Sequence, residues 1–316
     1  MIGILRPLAV LLATTFALAN LGAQVSTFPL DPRRTFLRTN SDAPLPPLVL
    51  DLATLPAAPG TWLRLESTGA FRHINGGLDN YRSLVGMFSS SNQVLATTLL
   101  HRVPDAIAAG GAYAGGATYY GGLPMDVPED FFVSRNTWAT GVYVEVPPTA
   151  THLFLGVLDS LYNDNVDPNG DYAVVVTVVG PLPLPGTGEH LELRTGVGAA
   201  ATALPADKQA PGGALLIGEL SQPVGFLDGD LYVIAADLMA TGGPAPQMLP
   251  RVWLGTTAVV VQLGSIPGTP GWSATWSLTA PHGLLGTSLI LQGGALSSLA
   301  RNGLYETTIA HRFAFQ

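Results

Sequence analysis

Tyr172-Ala-Val-Val-Val-Thr-Val-Val179 follows directly on Asp159-Ser-Leu-Tyr-Asn-Asp-Asn-Val-Asp-Pro-Asn-Gly-Asp171. β-Branched residues fit a pleated, packed surface, and a run that is apolar at odd and even positions alike leaves no face for solvent. It therefore reads as a central strand covered on both sides. The preceding loop is opposite in character, since Asn, Asp and Gly build turns. The same alternation of strand and turn recurs outward from this point. Trp62, Leu63 and Leu65 alternate with Arg64 and Glu66; 83–88 and 93–100 flank the turn 89–92; 141–146 and 152–158 complete the first half. In the second half 231–236, 252–254, 258–263, 273–278, 288–292 and 307–315 are predicted strands, with Ile309, His311, Phe313 and Phe315 on one face of the last. With 37 Gly, 26 Pro, 47% apolar and only 11% charged residues in 316, the composition suits short strands joined by turns, an all-β protein.

Gly180-Pro-Leu-Pro-Leu-Pro-Gly-Thr-Gly188 interrupts the pattern. Alternating Pro cannot sit inside a sheet and favours a stiff extended spacer. The expected plan is a first β-sandwich over 48–179, a Pro/Gly linker over 180–188 and a second β-sandwich over 189–316. At the start, Arg6 precedes an apolar run from Leu8 to Leu18, and the small residues Ala19 and Ala23 follow. This predicts a signal peptide over 1–23 and an exported protein, secreted or at the cell surface. The run is too short to span a bilayer, so membrane insertion is not expected. Residues 24–47, rich in Pro and Arg, read as a loose leader. No Cys is present, so cores and any bound metal must hold the fold.

The charge balance points to one loop. Net charge is −8 and Lys208 is the single lysine, which disfavours nucleic acid and anionic membranes as partners and leaves a neutral partner such as a glycan. Between Asn136 and Leu193 there is no Lys or Arg, yet Asp159, Asp164, Asp167 and Asp171 fall within one loop beside Asn163, Asn165 and Asn169. Carboxylates this close repel unless something neutralises them. Calcium, which takes six to eight oxygen ligands, is the usual agent. The alternative is an Asx-rich turn exposed to water. In one register Asn165, Asp167 and Asn169 with Gly170 fit the first half of an Asp-x-Asp-x-Asp-Gly loop. Val176 stands where that loop needs its final acid, so an EF-hand is excluded.

Three stretches also carry a resemblance. Trp62 to His73, Ser83-Leu-Val-Gly-Met-Phe-Ser-Ser-Ser-Asn92, and Leu153 to Asp159 with Asn163-Asp-Asn165 and Gly170-Asp-Tyr-Ala-Val-Val175 resemble the PA-IL-like calcium-dependent galactophilic lectins of bacteria. The resemblance covers about 48–179 and implies a jelly-roll, galactose-binding-like sandwich that holds a sugar through calcium. It implies side-chain ligands at Asp159, Asp164 and Asn165 and backbone carbonyls near Asn163 and His73. His73 and Tyr162 are the candidate ligand-contacting residues. Val166-Asp-Pro-Asn169 departs from the family as an insertion, and no counterpart to its sugar-contacting segment is recognisable between Phe71 and Ser83. The C-terminal part, through Pro281-His-Gly-Leu-Leu-Gly286, Leu289-Ile-Leu-Gln-Gly-Gly-Ala-Leu296 and Ala300-Arg-Asn-Gly-Leu304, resembles an uncharacterised β-sandwich module of bacterial secreted proteins.

Catalytic motifs are lacking. There is no Gly-x-Ser-x-Gly elbow, no His-Glu-x-x-His pair and no Cys nucleophile, and the six His are scattered without ligand spacing. Glu66, Glu129 and Glu145 are not singled out as partners for Asp159 in a glycosidase pair. The Tyr-rich loop 110–122 reads as a surface loop rather than a sugar-stacking platform. The expectation is a secreted, calcium-binding, lectin-like protein rather than an enzyme, the rival being a surface protein whose calcium is purely structural.

Overall fold

In Trp62-Leu-Arg-Leu-Glu-Ser-Thr68, Leu63 and Leu65 turn to the core while Arg64 and Glu66 stay half-buried, as the period of two requires. A computed structural model describes residues 24–39, 42–109, 119–120, 123–124, 127–134, 141–180, 182, 184–187, 190–198, 200, 201–222, 227–239, 249–269, 271–280, 282–298, 300 and 304–316. Among them every regular element is a strand. The first half contains β1 (Gln24–Pro29), β2 (Leu48–Asp51), β3 (Trp62–Thr68), β4 (Leu84–Ser89), β5 (Ala106–Ile107), β6 (Tyr119–Tyr120), β7 (Leu123–Pro124), β8 (Phe131–Ser134), β9 (Gly141–Glu145), β10 (His152–Gly156) and β11 (Ala173–Gly180). The second contains β12 (Glu192–Val197), β13 (Asp207–Ala210), β14 (Leu215–Gln222), β15 (Leu231–Met239), β16 (Val259–Ser265), β17 (Trp272–Thr279), β18 (Ser288–Leu296), β19 (Tyr305–Thr307) and β20 (His311–Phe315).

Two sheets face each other in each half. In the first, the order β1-β11-β3-β9 packs on β2-β10-β4-β5, with β8 also on β4. Val174, Val176, Leu63, Leu65 and Val144 from one sheet meet Leu50, Leu84, Phe88, Phe131, Leu153 and Leu155 from the other. In the second half β12-β14-β17 faces β13-β20-β18-β15-β16, and Leu193, Leu216, Leu220, Ile234, Leu291 and Phe313 share its core. The all-β expectation holds, and β11 lies between β1 and β3 as a central strand should.

Several boundaries differ from expectation. Residues 24–47 are not a loose leader: β1 pairs with β11 over its whole length, and Phe36 and Leu37 are buried against the outer face of the β4–β10 sheet. Their apolar side chains find cover there that Pro-rich composition does not reveal. The segment 93–100 forms no strand, and neither does 252–254; Trp253 instead donates its ring N–H to Pro185 O at 2.7 Å. The strand expected over 307–315 breaks into β19 and β20. Nor do the described residues of 180–188 form a free spacer. Leu184 and Thr187 are buried; Ala310 N donates to Leu184 O at 2.9 Å and Thr187 N to Thr307 O at 3.0 Å. Proline removes a donor but keeps its carbonyl, so such a segment can still be pinned.

The halves also touch. Arg251 Nη2 lies 3.3 Å from Glu145 Oε2 and its guanidinium stands over the Trp62 ring at 5.2 Å. Arg64 approaches Glu192 at 3.9 Å, and the burial of Tyr143 near this charge group pushes its phenol up to about 12.

His311 lies on the inner face of β20 with Phe313 and Phe315. It is buried, and its Nδ1 pairs with Thr195 Oγ1 at 2.7 Å across the second sandwich. Burial, with Lys208 nearby, lowers its pKa to about 3. The proposed signal segment, 110–118 and 121–122 of the Tyr-rich loop, and Pro281 and 301–303 of the C-terminal signature lie outside the described residues.

Candidate functional site

The Asp/Asn loop joins β10 to β11, so both of its ends are fixed by core strands. Its path is held by backbone contacts. Arg72 and Val166 exchange hydrogen bonds at 2.8 and 3.0 Å, which ties the loop to the segment after β3. Gly69, at φ +68°, lets that segment pass against Asp171; a Cβ there would overlap the Asp171 carbonyl.

The seven Asx residues divide into two groups. Asp167, Asn169 and Asp171 are engaged. Asp167 accepts from Gly170 N at 2.8 Å and Tyr172 N at 3.0 Å, holding the bend through Pro168 and Asn169. Asn169 donates to Asp79, and Asp171 accepts from Ala70 N at 3.3 Å. Asn163 is exposed; its backbone N–H, like that of Tyr162, donates to the Asp42 carboxylate.

The second group is Asp159, Asp164 and Asn165. Asp159 Oδ2, Asp164 Oδ1 and Asn165 Oδ1 are all buried with no hydrogen-bond donor. Asn165 is only 2% exposed, and its amide N–H is spent on Pro32 O at 3.0 Å, which turns its oxygen to the other side. Burial raises the Asp159 carboxyl above its ordinary value; Ser160 N, His73 and the Asn165 amide favour its charged form, and the like charge of Asp164 opposes it. Leaving a buried acceptor unpaired costs about 1–3 kcal/mol, more for a charged group. Asp164 and Asn165 both influence the Asp159 carboxyl, so the three unpartnered oxygens belong to one end of the loop.

Among the described residues no three His, Cys, Asp or Glu side chains stand close enough to hold a metal on their own. Two carboxylates, an amide oxygen and nearby backbone carbonyls are a donor set suited to a hard cation such as calcium, which accepts uncharged oxygens readily. The residues fit that ion in kind.

Tyr162 is fully buried, its hydroxyl donating to Val157 O at 3.1 Å and accepting from Asp159 N at 3.2 Å. It supports the loop from beneath and offers no surface to a ligand. His73 stands beside the loop, stacked on Tyr81 at 4.2 Å, with Nδ1 buried and unpartnered. Three features escape sequence reading. Asp42 and Asp79 add carboxylates from distant segments, although acid residues in Gly- and Pro-rich surroundings are the only hint of them. The isolation from basic residues is partly undone as well. An open groove of about 610 Å³ between 29–34 and 163–172 is lined by Arg33, Arg34, Asn163, Asn165 and Asp167. Arg33 is itself bound to Asp31 at 2.8 Å and Arg34 donates to Pro46 O at 2.9 Å. Comparison of the chain with known protein families and with curated proteins finds no match.

Proposed function

We propose that the first sandwich is a calcium-dependent carbohydrate-binding module of an exported protein, with Asp159, Asp164 and Asn165 as its side-chain metal ligands. The observation that carries this reading is the set of three buried side-chain oxygens on one loop left without donors. Calcium, when bound, supplies open coordination positions for vicinal hydroxyls. The chain does the rest. Asp159 and Asp164 provide the compensating negative charge, while Asn165 is braced by Pro32. His73 and Asp79, on the segment tied to the loop through Val166 and Asn169, are polar groups placed to discriminate among hydroxyl arrangements. No acid–base pair is needed, in keeping with the absence of catalytic motifs. The low density of basic residues favours a neutral glycan. Division into two folding units belongs to the same proposal.

A glycan array probed in calcium and in chelator tests it, with calorimetry of the metal alone alongside. Calcium-dependent binding to multivalent neutral glycans is expected before binding to free monosaccharide, because an open site on a small polar ligand is weak singly and gains by avidity. A silent array with calorimetrically proven calcium makes the ion a structural staple; no calcium binding at all removes the whole reading.

A further inference from the structure

The second sandwich is finished differently along its two lateral sides. On one side its sheets end in β12 and β13. Both strands are charged: Glu192 and Arg194 pair on β12 at 2.7 Å, and Asp207 of β13, next to Lys208, pairs with Arg312 at 2.8 Å. On the other side, among the described residues, the sheets end in β16, Val259-Val-Val-Gln-Leu-Gly-Ser265, and β17, Trp272-Ser-Ala-Thr-Trp-Ser-Leu-Thr279, which follow one another in the chain. Trp272 of β17 lies 4.9 Å from the ring of Tyr232 on β15, whose hydroxyl accepts from Gln262 Nε2 of β16 at 3.0 Å, which links the two edges through β15.

The two strands of this second side carry no charge themselves; the exposed carboxylate of Asp228 lies at one end, against Gly268 in the turn between them. From Val252 to Ala300 the sequence contains no Asp, Glu, Lys or Arg. Val259, Val260 and Leu263 are 63%, 62% and 66% exposed. On β17 the exposed positions are Leu278 and the hydroxyl residues Ser273, Thr275, Ser277 and Thr279. Strand edges present unpaired N–H and C=O groups, and proteins block unwanted pairing with Lys, Pro or a bulge. Neither strand contains Lys or Pro; the one irregularity is the register shift in β16 opposite Ile234 and Ala235. β17 pairs regularly with β14 over all its residues, so its outer edge is straight.

We infer that this side is an interface between two copies of the chain, with β17 pairing to β17 and β16 to β16 about a two-fold axis. A single extended peptide could cap only one of the two edges. A partner that caps both must present two strands at the roughly 10 Å spacing of stacked sheets, which is what this side itself presents. Charge permits the same occupant. Two copies that each carry −8 repel, and they meet without like-charge contact only over a surface free of charge. Antiparallel pairing of identical edges is self-complementary and stops at two copies.

Sedimentation of the full chain in chelator, from about 1 to 100 µM to bracket the micromolar affinities of specific pairs, tests the inference independently of any metal or glycan. A dimer of the 32.8 kDa chain is expected. Leu263→Lys and Thr275→Lys, both at exposed positions, should each shift the midpoint of assembly at least tenfold to higher concentration with unchanged circular dichroism. Gln209→Lys, on the charged side, should leave it in place. A monomeric wild type, assembly that runs beyond two copies, or a dimer indifferent to both edge lysines would overturn the inference.

Discussion

Asp159→Asn separates a metal ligand from a structural carboxylate, because the two roles predict opposite effects. In the absence of calcium the wild-type carboxylate is a liability: it is half-buried, one oxygen is buried without a donor, and Asp164 repels it. An amide of the same shape removes the charge and adds a donor beside the unpartnered Asp164 oxygen. The metal-free variant should therefore melt at the same temperature as the wild type or higher. With calcium the order reverses. A ligand that binds only the native state at a hundred times its Kd stabilises by about 2.7 kcal/mol, and in a chain of this size each kcal/mol is worth about 2–4 °C. Wild-type melting should rise by about 5–11 °C in excess calcium while the variant stays within about 1 °C of its metal-free value. Differential scanning calorimetry with chelator and with millimolar calcium reads both comparisons. Equal calcium shifts in the two proteins, or a variant more than about 2 kcal/mol less stable without metal, would refute the reasoning and make Asp159 a structural residue.

Asp167 should behave differently: Asp167→Ala frees Gly170 N and Tyr172 N and is expected to cost about 1 kcal/mol with calcium or without it, read by the same calorimetry. Because burial raises the Asp159 pKa above 3.8, the folded protein holds that proton to higher pH than the unfolded chain does. Metal-free stability should thus fall as pH rises from 3.8 through the raised value, and calcium affinity should fall as pH drops through it, both measurable by titration calorimetry and melting across mildly acid pH. His311 has the opposite sign: with its folded pKa depressed from 6.5 to about 3, it contributes stability above pH 6.5 that is lost as pH falls toward 3. His311→Gln should flatten that part of the acid limb of a stability–pH curve; an unchanged limb would show that other groups drive it.

Sequence by itself determined the class of fold, since a period of two and β-branched runs act locally on the backbone. The strands predicted over 62–68 and 231–236 and the run after Asp171 needed nothing else. It also determined that oxygen-rich side chains crowd one loop, because that crowding is a matter of adjacency along the chain. Tertiary structure decided which of those side chains are satisfied. Asp167 and Asp171 look like Asp159 and Asp164 in sequence, yet Gly170, Tyr172 and Ala70 give backbone donors to the first pair, while burial leaves the second pair with orphaned oxygens. The strand β1, the buried Phe36 and the pinned Leu184 were equally invisible, because a Pro-rich stretch becomes ordered only when a distant surface takes its apolar side chains. The same holds for strand edges. The uncharged stretch from Val252 to Ala300 can be counted in the sequence, but that it forms one open side of a sandwich follows only from which strands stand last in each sheet.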